Sequence, residues 1–176
     1  TQIGTLAGQL GVAENRVESF TETVAQFAAP TDVAVDASAT AFGRLDQLIE
    51  GVDGRYKNLA SSILNVGINS VATESQIISI ASQIAATGNQ AGLTADEVIG
   101  LSGALASLGV APEAARGTVL RVFSQINGAI AQGGETLNDF AQVAGMSAAE
   151  FRKAWSSDFT TTFVELLRGV HENGAA

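Results

Sequence analysis

The sequence predicts an all-α fold, a compact multi-helix array of short antiparallel helices joined by glycine-containing corners. Three observations support this prediction. Apolar residues recur at three- and four-residue spacing along most of the chain, which is typical of helices with one buried face. A corner made of one glycine, one apolar residue and one small or hydroxyl residue occurs repeatedly. The prolines Pro30 and Pro112 stand at expected helix boundaries, where proline is tolerated.

The corners are clearest between residues 73 and 124, which we interpret as three helices joined by two short connections. Each glycine can adopt the left-handed conformation that ends a helix, and the apolar residue covers the joint. Thr94 caps the next helix, and Glu97 completes a capping box. Because such short connections keep the ends of consecutive helices close together, these helices are expected to pack against each other. The predicted corner residues are Gly92, Leu93, Thr94, Glu97, Gly109, Val110, Pro112, Gly145, Met146 and Ser147.

Three helices are expected before the first glycine-rich turn. A short helix ends at Gly11, and the helix that follows it is stopped by Pro30. Asp36 is predicted to cap the third helix, which runs to about Glu50. The glycines that begin at Gly51 indicate a helix stop, because no lysine followed by serine or threonine completes a phosphate-binding loop. The inward-facing residues predicted here are Val17, Phe20, Val24, Phe27, Phe42, Leu45, Leu48 and Ile49.

The middle of the chain predicts four more helices. The first covers residues 55–66. The second covers 73–87 and begins with a Thr73–Gln76 capping box. The third lies between the two central corners, and the fourth, over 113–131, is expected to be the longest.

Three shorter helices are expected after this one. The first covers residues 135–144. Ser147 caps the second with Glu150 as its capping-box partner, and Asp158 caps the last, which is expected to fray after Gly169.

The sequence also suggests a division into two parts, an N-terminal helical segment at 1–52 and a helical domain at 53–176 that could be continuous with it. The stretch from Gly11 to Ile49 roughly parallels the stretch from Gly92 to Ile126, since both contain a corner, a helix, a break and a second helix. A weak helical repeat is one interpretation. Chance likeness between glycine-punctuated helices is the other.

The composition excludes several classes of function. The chain has 176 residues and a net charge of −9, with nine scattered basic residues and no cysteine. Without a basic stripe, sequence-specific nucleic-acid binding is not expected. No run of about 18 apolar residues indicates a classical membrane span. The first residue is threonine and no signal-peptide pattern follows it, so we expect a piece of a longer protein.

No catalytic, cofactor-binding or metal-binding residue is predicted. The single histidine, His171, stands near a helix end, where a mobile side chain is a poor general base. The carboxylates gather at helix starts, a placement that capping and the helix dipole explain without a reaction. An enzyme is therefore the least expected class.

Aromatic residues concentrate late in the chain, at Phe140, Phe151, Trp155, Phe159 and Phe163. Core packing is the favoured interpretation. The alternative is a partner-facing patch formed by Trp155, Phe159 and Phe163, because tryptophan is enriched at the buried centres of interfaces.

Five motifs stand in a distinctive order and spacing: 71–77, 91–94, 105–113, Gly117-Thr118 with Arg121-Val122, and 140–151. Together they resemble the helical region of tail tape measure proteins of long-tailed bacteriophages, in the family named after phage TP901. The resemblance covers roughly residues 42–170 and suggests a phage with an actinobacterial host.

The resemblance implies a structural role. Such proteins fill the lumen of the growing tail, set its length and leave ahead of the DNA during ejection. The implied partners are the chain itself, as a homo-oligomer with a trimer favoured, and the tail tube and tail tip proteins. The implied location is the tail lumen or tail tip, after assembly in the host cytoplasm. The chain is too short to span a tail and lacks a long heptad rod, so we expect a segment.

Two alternatives stay open at this point. One is a membrane-active segment of a DNA-delivery conduit, with the charge-poor stretches 77–86 and 98–108 as candidates for membrane contact. The other is an unrelated soluble helical adaptor.

Overall fold

The computed structural model describes residues 2–52 and 54–174. Within these residues the backbone forms ten α-helices, one short 3₁₀ turn at Glu14–Arg16 and no strand, which confirms the all-α prediction. The helices are α1 Gln2–Gln9, α2 Val17–Ala28, α3 Val35–Leu48, α4 Tyr56–Ile68, α5 Glu74–Gln90, α6 Ala95–Ser107, α7 Pro112–Gln132, α8 Glu135–Val143, α9 Ala148–Ser157 and α10 Phe159–Gly174.

The chain divides into two compact units, which we describe separately. Unit 1 extends to Val119 and unit 2 begins at Leu120, so the division falls within α7. In unit 1, helices from both sides of residue 52 pack together, α2 against α4 and α3 against α5. The expected boundary near residue 52 concerns independent folding and stays a prediction.

Hydrogen bonds between helix ends define the directions of α3 and α5 in unit 1. Asp32, just before α3, accepts hydrogen bonds from the Ser75 backbone N–H at 3.0 Å and from its hydroxyl at 2.5 Å. At the other end, the Glu50 N–H donates to Asn89 Oδ1 at 3.0 Å. Because the two starts meet and the two ends meet, α3 and α5 run parallel.

The helices α4 and α6 also run parallel to each other, and α5 runs antiparallel to both. The Ser62 hydroxyl donates to Asp96, while Gly103 lies beside Val66 one to two turns further along. Gly88, near the end of α5, contacts Val98 near the start of α6. The starts of α3 and α5 therefore share one end of unit 1 with the ends of α4 and α6.

The core of unit 1 is built from aliphatic and aromatic side chains on the inner faces of these helices. Tyr56 is buried with its ring edge-on to Phe20 at 4.9 Å, and its hydroxyl donates to Asp46 Oδ2 at 2.8 Å. A buried tyrosine needs such a partner, because an unpaired hydroxyl in the core is costly. The other large fully buried side chains of this unit include Phe20, Phe27, Phe42, Leu45, Ile49, Ile63, Ile77, Ile80, Ile84 and Ile99.

Unit 2 packs α8, α9 and α10 together around a smaller core. The α10 backbone approaches α8 so closely that a Cβ atom at Gly169 would lie 1.6 Å from the carbonyl oxygen of Val143. Glycine is therefore required at this crossing. The buried core residues are Ile126, Ala129, Leu137, Ala141, Ala144, Phe151 and Leu166.

Some boundary predictions were wrong. Asp36 does not cap α3, because the helix begins at Val35 and Ala34 is its N-cap, without a side-chain bond. Asp36 lies instead in the first turn, where a carboxylate stabilises the positive end of the helix dipole. The helix α10 continues to Gly174 instead of fraying after Gly169.

The prediction that consecutive helices pack against each other at every short corner was only partly correct. It holds at the Gly92 corner, where α5 and α6 lie side by side. At the Gly109 corner the chain bends by 115° between α6 and α7, so these helices do not form a hairpin. A glycine corner ends a helix locally but does not determine the angle of the next one.

Candidate partner-binding surface

The corner residues form the same hydrogen-bonded motif four times. The glycine N–H donates to the carbonyl three residues earlier, and the next N–H donates to the carbonyl five residues before it, which is the Schellman arrangement. The corner glycines have φ values of 73° (Gly11), 84° (Gly92), 74° (Gly109) and 69° (Gly145). The second bonds are Val12 to Ala7, Leu93 to Gly88, Val110 to Leu105 and Met146 to Ala141.

Two of these corners lead into a full capping box. The Thr94 hydroxyl accepts a hydrogen bond from the Glu97 N–H at 3.3 Å, and Glu97 accepts one from the Thr94 N–H at 2.7 Å. Ser147 and Glu150 repeat the pattern at 3.3 and 2.9 Å. The Ser147 side chain and backbone, which donate to the carboxylate, lower the pKa of Glu150 below its ordinary value. Thr73 and Gln76 form a third box, at the start of α5.

The corner residues are distributed over both units and differ in burial. Leu93 is buried, Val110 and Met146 are half-buried, and Pro112 is the first residue of α7. The Gly92 and Gly109 corners lie at opposite ends of α6, and the Gly145 corner belongs to unit 2. Their hydrogen bonds account for the ends of the helices.

The late aromatic residues come together around a residue from α7. The buried ring of Phe123 has three edge-on neighbours, Trp155 at 6.1 Å, Phe159 at 5.2 Å and Phe163 at 6.3 Å between centroids. Trp155 also stacks on the fully buried Phe151 at 5.8 Å. Such aromatic pairs each contribute about 0.5–1.5 kcal/mol beyond the area they bury.

The partner-facing candidates lie on the half-buried side of this aromatic cluster. Trp155, Phe159 and Phe163 are each partly exposed. The indole N–H of Trp155 donates to Asn127 Oδ1 at 3.0 Å, so its polar atom is already paired. Val164, beside Phe163 in the chain, is 46% exposed. The cluster thus combines a core role with a partly exposed side formed by Trp155, Phe159 and Phe163, which we call the aromatic edge.

One concave region of unit 1 lies between the end of α3 and the start of α6. The cavity lined by Glu50, Arg55, Thr94 and Asp96 has a volume of about 240 Å³. No group of three or more histidine or carboxylate side chains able to hold a metal ion is present among the residues that the structure describes. The side chain of His171 lies outside the described part of the chain.

The comparison with protein families decides the class of this chain. A family model described as phage-related minor tail protein matches residues 1–174. The chain belongs to the phage-related minor tail protein family. As a member of this family it is a structural component of the phage tail and is located in the tail of the virion. No curated protein and no solved structure matches it.

Two residues of the aromatic cluster in this minor tail protein were not singled out as cluster members from the sequence. Neither Phe123 nor Asn127 was linked to the late aromatic residues in the sequence analysis. Both lie on α7, about 30 residues before Trp155, so no local pattern links them. The only available sequence signal was their four-residue spacing, which places Phe123 and Asn127 on the same face of α7.

Membrane contact has limited support within the described residues. No single helix in this part of the chain is long and apolar enough to cross a membrane, whereas α6 and α7 together have the necessary length and composition but are bent by 115° at their junction.

Proposed function

We propose that this minor tail protein is a segment of a tail tape measure protein that sets tail length. In this role it occupies the tail tube lumen, or reaches the tail tip, and is released ahead of the DNA during ejection. The host cytoplasm is the site of assembly, and the function requires no catalysis. The observation that carries the proposal is the family match over residues 1–174, combined with the ordered tape-measure-like motifs.

The charge of the chain supports a location inside the tube. Acidic residues outnumber basic ones by 18 to 9. A negatively charged surface is repelled by DNA, which later passes through the same lumen. The protein can therefore leave the tube ahead of the DNA without binding to it.

The side-chain hydrogen bonds support a chain that can be rearranged at low cost. The buried hydroxyls of Thr23, Ser38, Ser102 and Thr162 each donate to the carbonyl four residues earlier, which belongs to the same helix or to the residue just before it. These hydroxyls stay paired when the helices separate, so separation leaves no unsatisfied polar group among them. Helices with this property can be extruded through a narrow tube as helices.

The tape measure role includes self-association, for which we propose a trimer held by the aromatic edge of Trp155, Phe159 and Phe163. Aromatic side chains that are rigid and half-buried in the monomer lose little conformational entropy when a partner covers them. The tail tube and tail tip proteins are the other proposed partners.

A change in gene length tests the proposal directly. Duplicating the 176-residue segment in the phage gene should lengthen the tail, by up to about 260 Å at a helical rise of about 1.5 Å per residue. Tail length is measured on negatively stained virions. The matched control is a duplication of similar length in a different minor tail gene, which should leave the length unchanged.

Two outcomes would count against a length-setting role. The first is a duplication that yields infectious virions with tails of normal length. The second is an equal increase in tail length with the control duplication.

A second candidate function is membrane contact during infection, for which α6 and α7 together are the specific observation. The apolar residues Val98, Ile99, Leu101 and Leu105 of α6 are buried, so α6 would have to leave its neighbours first. Flotation with neutral and anionic vesicles tests this candidate, and absence of binding to both would exclude it for this segment.

A further inference from the structure

The large exposed apolar side chains of unit 1 are confined to one of its ends. In the described part of this unit they are Val35, Ile68, Val71 and Leu108, with exposures of 44, 79, 85 and 71%. Val35 begins α3, Ile68 ends α4, Val71 precedes α5, and Leu108 follows α6. Because α3 and α5 start where α4 and α6 end, all four lie at the same end, which we call the apolar end.

Acidic side chains surround the apolar end. Asp36, Glu74 and Glu113 lie in the first turns of α3, α5 and α7, and Asp32 is bonded to Ser75 beside them. Asp36 and Glu113 line one open groove, which places the start of α7 at this end too, and Arg44 lines the same groove.

Basic residues are sparse at this end. The helices that finish here, α2, α4 and α6, carry no basic residue in their last turns. The nearest arginines along the helices are Arg116, one turn into α7, and Arg44, two turns into α3, so the one basic side chain in the groove faces two carboxylates, Asp36 and Glu113.

We infer that the apolar end is a docking surface for a basic amphipathic helix of another protein, one that carries aliphatic residues flanked by lysine or arginine. Burial of Ile68, Val71 and Leu108 supplies the driving force, since it removes apolar surface from water. The surrounding carboxylates select a basic partner by charge complementarity.

The same charges argue against other occupants. A second copy docked end to end would bring two sets of carboxylates together, and like charges across an interface are unfavourable. An anionic membrane would be repelled in the same way. The inference goes beyond the tape measure role and does not depend on it, because it concerns a surface of unit 1 and no property of the tail tube.

The test is a titration of the isotope-labelled full chain with a synthetic peptide of about 18 residues. The peptide carries leucine at positions that share one helical face and lysine elsewhere. We expect amide shifts centred on residues 35, 68, 71 and 108, and binding that weakens as salt is added. A matched peptide with glutamate in place of lysine should not bind.

Variants locate the binding surface. Ile68→Ser with Val71→Ser should weaken peptide binding by about tenfold or more with little change in melting temperature, because both side chains are exposed. If this double variant unfolds, Leu108→Ser tests the same surface at a residue that follows a different helix, α6. The control is Val164→Ser, at an exposed position in unit 2, which should leave the affinity unchanged.

Four outcomes would overturn the inference. They are equal binding of the acidic peptide, peptide affinity unaffected by the Ile68 and Val71 substitutions, a fall in oligomeric mass with those substitutions, and vesicle binding that the substitutions abolish. The third would assign the apolar end to a second copy, and the fourth to a membrane. None of these outcomes bears on the result of the tail-length experiment, so the two proposals can fail independently.

Discussion

Trp155 and Asn127 form a hydrogen bond of 3.0 Å that joins α9 to α7 across unit 2. The bond satisfies the indole N–H within the monomer and holds the ring between Phe151 and Phe159. Only apolar surface of Trp155 is then left for a partner. A rigid aromatic ring without an unpaired polar atom is the kind of side chain that forms the centre of interfaces.

Trp155→Ala should therefore reduce self-association more than monomer stability. Because the ring is only half-buried, we expect a stability loss of about 2 kcal/mol, less than for a fully buried aromatic residue. Sedimentation velocity at several concentrations should show a lower mass. Leu137→Ala, in the buried core of the same unit, is the control and should reduce stability without changing the mass. An unchanged mass for Trp155→Ala would exclude the aromatic edge as the interface.

Gly169→Ala should destabilise unit 2, because the added Cβ would collide with the backbone carbonyl of Val143. Backbone cannot move aside as a side chain can, so we expect a loss of about 3 kcal/mol or more. Gly128→Ala is the matched helical control. Nothing lies within 4 Å of a Cβ built at Gly128, so this variant should gain about 0.5–1 kcal/mol. Chemical denaturation measures both, and equal effects would contradict the close crossing of α8 and α10.

Gly92→Ala should cost about 1–2 kcal/mol, because φ is +84° at this corner and an L side chain is strained there. There is open space around the position, so the strain arises from the backbone alone. Gly92→Asn should cost less, since asparagine tolerates the left-handed conformation better. Thermal denaturation distinguishes the two, and equal losses would indicate that φ is not the cause.

The Asp32–Ser75 contact predicts a pH dependence. Burial raises the pKa of Asp32, but the hydrogen bonds from the Ser75 hydroxyl and N–H, from the Thr73 side chain and from the backbone of Asp32 together leave the pKa below the ordinary value. A lowered folded-state pKa stabilises the fold above the unfolded-state pKa, and this stability is lost as pH falls through the folded-state pKa. Carboxyl NMR titration should therefore give a low midpoint for Asp32, and Ser75→Ala should raise it. A midpoint that Ser75→Ala does not change would contradict this account.

The local features of the fold were predictable from the sequence because neighbouring residues determine them. The corner at Gly92, Leu93 and Thr94 is an example. Its glycine, its apolar residue and its cap, with Glu97 three residues after the cap, are enough to predict the helix end and the capping box. Asp36 was misassigned because aspartate is favoured both as an N-cap and in the first turn, and the sequence does not distinguish the two.

The aromatic cluster and the apolar end were less predictable, because both depend on contacts between residues that are far apart in the sequence. Phe123 meets Trp155 only because α7 and α9 pack together in unit 2. The apolar end exists because four helix ends coincide in space, and nothing next to Ile68 or Val71 in the sequence shows that their neighbours leave them uncovered. The apolar end becomes visible only when the directions of α3, α4, α5 and α6 are known.

The most direct test of the central claim is the position of this segment in the intact virion. A small tag inserted after the exposed Gly134, between α7 and α8, gives that position when labelled phage is imaged by cryo-electron microscopy before and after ejection. We predict a signal inside the tail tube or at its tip before ejection and loss of the signal from the tube afterwards. A signal on the outer surface of the tail, or one that stays in the tube after the DNA has left, would contradict the tape measure role.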